Sequence, residues 1–287
     1  MTTDCGVGAD DQWALAHVAL SAELDLRGVV TTHSGEFPLL AAPAAESSAR
    51  VARDVLAQMG LAPAAPVWAG SSTPLRSKTE PRGNPGVEFI LRESRVYGSG
   101  RRMAVVVIGA ATDVASALII DPSLASRVEI IAMGFNRWPE GGDAFNVRND
   151  PKAWQVVLES GAPVTVGDAE VTTRQLRMTR ERAKEIGSGG GGRGRYLADL
   201  FVRWVDESTG LAELLGDRHS LPLWDQVAVA HLLGLTRAEV RPRPRLRDDL
   251  SFEHPAGVAA NVTWITSIDT EKLWRDLSAK LAAAAQR

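Results

Sequence analysis

The protein is a chain of 287 residues, of which 45% are hydrophobic and 23% are charged, proportions typical of a globular protein with a substantial buried core. The formal net charge is −3, so the chain lacks the basic excess with which proteins bind a nucleic-acid backbone. Cys5 is the single cysteine, which excludes an internal disulfide and a structural zinc site of the usual cysteine type.

The distribution of apolar residues bears on targeting. No apolar run reaches the roughly 18 residues that a membrane-spanning helix needs. The first residues show no basic segment followed by an apolar stretch, so no signal peptide is expected. We therefore expect a cytoplasmic protein with neither a membrane partner nor a nucleic-acid partner.

Short apolar runs rich in β-branched residues alternate with helix-like segments. The predicted buried strands are Leu26–Thr32, Met103–Gly109, Val128–Gly134 and Pro163–Gly167. The predicted helices are Asp10–Leu24, Pro43–Met59, Thr112–Ile120, Pro151–Ser160, Thr179–Ile186, Tyr196–Leu215, Trp224–Leu233 and Thr270–Ala284. This alternation favours an α/β fold with a Rossmann-like open, mostly parallel central sheet flanked by helices, and a helical C-terminal portion. No repeat or linker divides the chain, so residues 1–287 are expected to form one domain.

Gly187–Arg195 is the one low-complexity stretch. It lacks the preceding strand and the GK[ST] ending of a phosphate-binding loop. We expect a flexible loop between two helices. The alternative is a mobile lid over a site, in which Arg193 and Arg195 contact an anionic substrate.

Three carboxylates lie close together at the start of the chain: Asp4, Asp10 and Asp11. Adjacent acids at a helix start have an ordinary explanation, because they cap the helix and complement its dipole. Asp4 adds another hard oxygen ligand on the same tight turn, and such ligands suit calcium or magnesium. A cation would also relieve the repulsion among the three charges. The run is therefore either a helix cap or the centre of a metal site.

The run Thr2–Asp11 (TTDCGVGADD) resembles the N-terminal aspartate motif of the nucleoside hydrolase family in its longer form. The resemblance implies that Asp4 is the catalytic base and a metal ligand, that Asp10 binds the ribose and that Asp11 binds calcium. In the shorter form of the motif, Gly6 would stand where the base is needed and the site would be inactive. We prefer the longer form because it agrees with the motifs that follow.

Two of those motifs lie at strand or loop ends in the middle of the chain. The run IGAATD at 108–113 is similar to the family's strand-to-helix turn, whose threonine, here Thr112, offers its backbone carbonyl to calcium. The run DAFNVRNDP at 143–151 is similar to the family's EFN…DP signature, which makes Asn146 a ligand of the ribose hydroxyls. Thr112 is also placed to act as a plain helix N-cap.

The last motif precedes a predicted helix at 223–226 (LWDQ) and resembles the position of the family's final metal-binding aspartate. Asp225 is therefore expected to contact both the cation and the substrate. Together the resemblances imply one Ca²⁺ ion bound by Asp4, Asp11, Thr112 and Asp225.

The leaving-group side differs from the family, which often has a histidine where Trp224 stands. An indole can stack on a planar base. With a tryptophan at this position, the chain resembles the purine-preferring members of the family. Trp138, in a loop expected to overlook the pocket, is a second candidate contact with the base. Either tryptophan could instead be an ordinary core residue.

The end of the site that would hold the sugar 5′ group differs most. The family's Thr-Thr-x-x-Gly-Asn run is TTHSGE at 31–36, so Glu36 replaces an asparagine and His33 stands beside the strand end. Ala144 occupies the place of the family's glutamate for the 5′-hydroxyl. We expect His33 and Glu36 to contact a substrate that differs from a plain ribonucleoside.

The resemblance implies a calcium-dependent hydrolase that cleaves the N-glycosidic bond of a ribonucleoside, with a purine or a modified nucleoside as the candidate substrate. Two alternatives remain. The chain could be a catalytically impaired, calcium-dependent nucleoside or sugar binder, or a hydrolase acting on a non-nucleoside with vicinal hydroxyls. The family resemblance also implies a homodimer or homotetramer.

Overall fold

The computed structural model describes residues 1–35, 44–61, 65–142 and 144–286. The strands are β1 (Thr2–Thr3), β2 (Val29–Thr31), β3 (Val67–Ala69), β4 (Met103–Val107), β5 (Val128–Met133), β6 (Val164–Gly167), β7 (Arg177–Thr179), β8 (Ser220–Pro222), β9 (Thr236–Pro242), β10 (Arg245–Leu246), β11 (Phe252–Glu253) and β12 (Asn261–Ile268). The helices are α1 (Asp10–Leu20), α2 (Ala45–Gln58), α3 (Pro85–Glu93), α4 (Thr112–Ile120), α5 (Phe145–Arg148), α6 (Pro151–Glu159), α7 (Ala169–Gln175), α8 (Arg180–Gly187), α9 (Gly191–Glu207), α10 (Thr209–Leu214), α11 (Gln226–Leu232) and α12 (Thr270–Ala285).

An eight-stranded sheet with the order β3-β2-β1-β4-β5-β6-β12-β9 forms the centre of the fold. Its neighbours pair in parallel except at the β9 edge, where β9 runs antiparallel to β12. Helices flank the sheet, and several more follow β6. The predicted α/β class, the mostly parallel sheet and the helical C-terminal part are confirmed.

Both faces of the sheet are buried, because side chains alternate along each strand. On β4 and its extension, Val106 and Ile108 join one core, whereas Val105 and Val107 join the other. The first core packs against helices that include α1, α9 and α12, and the second against α3, α4 and α6. Continuous apolar runs are the sequence signature of strands covered on two sides, which explains why the central strands were predictable.

Strand β1 is the element that the sequence pattern could not define. It has two residues, both threonines, yet it lies between β2 and β4 and pairs with both. Strands β3, β9 and β12 were also missed. β9 is an edge strand whose residues are mostly exposed, so it lacks the apolar run that marks a buried strand.

The prediction of a flexible loop at Gly187–Arg195 is wrong. Helix α9 begins at Gly191, and glycines at 187 and 194 let α8 and α9 approach so closely that a Cβ on Gly194 would lie 1.9 Å from the Gly187 carbonyl oxygen. Arg193 donates to the Met59 carbonyl at 3.0 Å and to the Ala284 carbonyl, the last turns of two other helices. The glycines therefore serve helix packing, and Arg193 binds helix C-termini.

Within the described part of the chain, none of the helices combines the length and the apolar character needed to cross a lipid bilayer.

Candidate functional site

The carboxyl ends of β2, β1, β4 and β5 meet at one edge of the sheet, because these four strands are parallel neighbours. Asp4 directly follows β1, His33 follows β2, and Thr112 begins the helix after β4. In open parallel sheets, ligands bind in the crevice beyond the carboxyl ends of the strands. The motif residues are thus concentrated where such a fold places its site.

Three carboxylates converge there from two helix starts. Asp10 and Asp11 open α1, and Asp225 precedes the first residue of α11. One carboxylate oxygen from each of the three lies within 4.8 Å of the others. Asp11 is 4% and Asp225 2% exposed, so the cluster is largely withdrawn from water. The close group thus contains two of the predicted metal ligands, together with Asp10, which was assigned to the ribose.

Asp4 is buried beside this cluster. Its Oδ2 has no hydrogen-bond partner among the described residues, although the side chain is only 2% exposed. Gly109 is required next to it, since a Cβ at that position would lie 2.8 Å from the Asp4 backbone nitrogen and 2.9 Å from Asp4 Oδ1. An orphaned carboxylate oxygen in a closed polar site is a group that a cation, a water or a substrate must satisfy. Its assignment as base and metal ligand stays a prediction.

The pKa values of the four acids also indicate a cation site. Burial, followed by the charge of Asp10, raises the pKa of Asp4 well above the ordinary aspartate range. Burial and the charges of the other acids likewise raise the pKa of Asp11 and of Asp225, and burial raises the pKa of Asp10 to about 6. Four carboxyl groups so arranged do not all ionise at neutral pH unless positive charge compensates them. The all-oxygen donor set therefore fits a hard divalent cation.

Thr112 is held in a buried chain of hydrogen bonds. Its hydroxyl donates to Asp150 Oδ2 at 2.7 Å and accepts from His33 Nε2 at 3.0 Å. Its backbone carbonyl accepts from the Ser116 hydroxyl at 2.7 Å. The structure thus shows Thr112 ordering the start of α4, and its carbonyl as a calcium ligand stays a prediction.

His33 is buried, and burial followed by the charge of Arg82 lowers its pKa to about 4, so the imidazole is neutral at physiological pH. Its predicted contact with substrate is untested. Glu36, the other residue predicted for the sugar 5′ end, lies outside the described residues.

Asn146 joins the ends of two central strands. Its Nδ2 donates to the carbonyl of Ile108 at 3.1 Å and to that of Met133 at 3.3 Å. These bonds fix the amide at the carboxyl edge of the sheet, where the acids lie. Its contact with the ribose hydroxyls stays a prediction.

Two tryptophans, Trp224 and Trp204, pack together next to the acids. Trp224 was predicted as a site residue from the sequence, whereas Trp204 was missed. The Trp224 indole nitrogen donates to Thr173 Oγ1 at 2.9 Å, and its ring packs edge-to-face against Trp204 at 6.0 Å. A Cβ on Gly8 would lie 3.0 Å from Trp204 and 2.6 Å from Asp10 Oδ1. Trp204 belongs to an amphipathic helix, so nothing in the sequence distinguishes it from a core residue.

Trp138 belongs to a different aromatic group. Its ring lies 5.2 Å from Trp264 and 6.0 Å from Phe252, and the Arg241 guanidinium stacks over it at 5.0 Å. This group lies against β12, toward the antiparallel edge of the sheet. The prediction that Trp138 overlooks the substrate is supported by no contact among the described residues and stays a prediction.

Comparison with known proteins gives a consistent result. A family model described as inosine-uridine preferring nucleoside hydrolase matches residues 1–275. The pyrimidine-specific ribonucleoside hydrolase RihA of Klebsiella pneumoniae subsp. pneumoniae is 28% identical, over 80% of this chain and 78% of the relative. The solved purine-preferring ribonucleoside hydrolase from Gardnerella vaginalis has a TM-score of 0.80 at 20% identity, covering 99% of this chain and 98% of that one. The type III effector XopQ, solved with adenosine diphosphate ribose, has a TM-score of 0.70 at 18% identity, covering 99% and 94%.

The solved structures confirm the fold. The family match includes all four motif regions, from Asp4 to Asp225, and so confirms the resemblance inferred from the motifs. The chain belongs to the inosine-uridine preferring nucleoside hydrolase family.

Proposed function

We propose that the protein is a calcium-dependent N-ribohydrolase that cleaves a ribonucleoside to its base and a free ribose. The observation that carries this proposal is the convergence of Asp10, Asp11 and Asp225 within 4.8 Å, beside Asp4 Oδ2, which lacks a hydrogen-bond partner among the described residues, in a member of this family. A cation held by these acids would bind the vicinal hydroxyls of the substrate and would lower the pKa of a water molecule.

The chain's own groups carry the remaining tasks. Asp4, whose Oδ2 is free of hydrogen bonds within the described residues, takes the proton of the attacking water as general base. Asp10 and Asn146 hold the ribose hydroxyls and so align the ring. The negative charge of the acid cluster stabilises the positive charge that develops at the anomeric carbon, as in other glycoside hydrolysis.

The base is the less constrained half of the substrate. The names of the relatives cover pyrimidine-specific and purine-preferring enzymes, so family membership leaves the base undecided. The Trp204–Trp224 pair beside Gly8 favours a large planar base that can stack on an indole. We therefore propose a purine, with homo-oligomeric assembly and a single domain over residues 1–287 as further parts of the proposal.

The test measures the hydrolysis of a panel of purine and pyrimidine nucleosides by the release of reducing sugar. Wild-type protein with Ca²⁺ is expected to turn over a purine nucleoside, and a chelator should abolish turnover. Asp4→Asn should lower kcat by about 10²–10⁴-fold, the range for loss of a general base. Asp25→Asn, whose side chain is 77% exposed near the amino end of β2, is the matched control and should leave kcat unchanged.

Turnover that persists in the Asp4→Asn variant would refute the assignment of the base. Tight nucleoside binding without any turnover in the wild type would instead support a calcium-dependent binder, which the Ala144 replacement of an expected glutamate favours.

A further inference from the structure

Trp204 lies against the turn that leads from Asp4 to the other two acids at the start of the chain. A Cβ added to Gly8 would stand 2.6 Å from Asp10 Oδ1 and 3.0 Å from Trp204 Cζ2. The carboxylate and the indole therefore border the same point, with only a glycine between them. Asp10 is proposed to bind the ribose hydroxyls, so the indole lies within reach of a group bonded to that sugar.

The core of the protein fixes this indole relative to the acids. The Trp204 ring packs edge-to-face on Phe201 at 6.0 Å, and Phe201 packs edge-to-face on Trp13 of α1 at 6.2 Å. The Trp13 indole nitrogen also donates to the Leu197 carbonyl of α9 at 3.0 Å. Because α1 begins at Asp10, these contacts hold the indole and the carboxylate in a fixed relation. A ligand that uses both groups does not have to order them when it binds.

The indole also has an accessible surface. Trp204, Trp224 and Asp10 are only partly buried, whereas Asp11 and Asp225 are buried. The rings of Trp204 and Trp224 meet at an interplanar angle of 68°, so they form the two walls of a corner beside the acids. An exposed aromatic wall gains free energy when a planar apolar group covers it. Such a corner suits an aromatic base with its face on one indole and its edge against the other.

We infer that Trp204 is a specificity-determining residue, which stacks against the ring of the base that carries the glycosidic bond. This inference rests on the proposed function. The C1′ atom that carries the base is bonded to C2′, which bears one of the vicinal hydroxyls assigned to Asp10. A ribose held there places the first ring of its base next to Trp204, whether the base has one ring or two. The site therefore selects sugars that bear a planar base and discriminates against vicinal diols without an aromatic group.

The experiment uses the calcium-loaded protein and the purine nucleoside that it cleaves best. Trp204→Leu should lower kcat/KM for this nucleoside by about tenfold or more, the usual effect of losing a base–aromatic stacking contact. It should raise the Ki of uridine as a competitor in the same way, and leave the Ki of ribose and the calcium affinity within about threefold of the wild type. Trp204→Phe keeps an aromatic face and should recover most of the loss. Trp68→Leu is the control and should change none of these values, since this partly buried indole packs on Phe89 in the other core.

Two results would overturn the inference and leave the proposed function standing. One is an unchanged kcat/KM in Trp204→Leu. The other is an equal loss of affinity for the nucleoside, ribose and calcium in a variant that keeps its circular dichroism spectrum, because Trp204 would then serve packing alone. If Trp204→Leu does not fold, Trp204→Phe takes its place. The nucleoside should quench tryptophan fluorescence less in this variant than in the wild type, and equal quenching would contradict the stacking.

A wild type that cleaves no nucleoside refutes the proposed function. Calorimetric titration with inosine and ribose then decides the inference. It requires tighter binding of inosine than of ribose in the wild type and loss of that difference in Trp204→Leu, and any other result overturns it.

Discussion

At the scale of single residues, Asp4 owes its position to a glycine that the sequence marks only as a strand end. Gly109 follows β4 and faces Asp4, with Thr32 Cγ2 2.8 Å from the place where a Cβ would stand. These contacts involve backbone atoms and a short side chain. Neither can move aside as the end of a long, flexible side chain could. Absence of a side chain at 109 is therefore what admits the Asp4 carboxylate to the edge of the sheet.

Gly109→Ala tests this packing. The added methyl group should lower the free energy of unfolding by about 1–3 kcal/mol, the usual cost of an extra carbon in a close-packed interior, and should depress kcat by moving Asp4. Urea denaturation and nucleoside turnover are the measurements. Gly98→Ala is the control, since nothing lies within 4 Å of its Cβ position. Equal stability of the two variants would contradict the packing argument.

At the scale of elements, one histidine connects the two helices that carry the acids. His17 on α1 is fully buried, with Nδ1 2.9 Å from Gln226 Oε1 at the start of α11 and Nε2 2.8 Å from Asp276 Oδ2 on α12. α1 begins at Asp10, and Gln226 directly follows Asp225. The imidazole therefore fixes the spacing of the two helix starts on which the carboxylate cluster depends.

His17→Ala should lower the free energy of unfolding by about 2–4 kcal/mol, because it leaves a cavity and removes the partner of the buried Gln226 Oε1, whereas Asp276 keeps its bond from Lys280. It should also weaken calcium binding without removing any carboxylate. Asp276→Asn keeps an oxygen acceptor and should have the smaller effect. His231→Ala is the control on α11, since this half-buried histidine contacts Thr236 at the surface. Calorimetric titration with Ca²⁺ is the measurement, and unchanged affinity in His17→Ala would rule out the positioning role.

At the scale of the whole molecule, the buried acids couple folding to pH. The pKa of Asp10 is about 6 in the folded protein against an ordinary value of 3.8, and the pKa values of Asp4, Asp11 and Asp225 are raised as well. Groups with raised pKa values bind more protons when folded, so their stabilising contribution is complete below about pH 4 and is lost as pH rises through the folded-state values. Carboxylates with lowered pKa values, such as Asp121 and Asp269, act only at more acidic pH. The lowered pKa values of His33 and of the Met1 amino group act in the opposite direction between pH 5 and 7.5, but these two groups are outnumbered by the four acids.

The metal-free protein should therefore have a lower Tm at pH 7.5 than at pH 5. Calcium should reverse this, since a ligand at 100 times its Kd adds about 2.7 kcal/mol, and it binds the ionised carboxylates. Differential scanning calorimetry with chelator and with Ca²⁺ at both pH values is the measurement. Asp225→Asn should shrink the calcium-dependent gain. A gain at pH 5 as large as that at pH 7.5 would contradict the coupling.

The sequence predicted the central strands of the sheet well. The four predicted strands correspond to β2, β4, β5 and β6, because apolar β-branched runs ended by Gly or Thr reflect burial on two faces. The glycine-rich stretch was misjudged for the opposite reason. Composition predicts chain flexibility there, whereas the close approach of Gly187 and Gly194 makes the same glycines part of a helix interface.

The sequence by itself was enough to predict the fold class and the order of the motifs, because these depend on local patterns. It was also enough to name Asp4, Asp10, Asp11 and Asp225 as candidate site residues, because their residue type and spacing suit a cation. Only the tertiary structure decided which groups meet. It placed the two-residue β1 between β2 and β4 and brought Trp204 to Gly8 and His17 to Gln226. Such contacts join residues that are far apart in the chain, and they follow from strand order and packing, which no local pattern encodes.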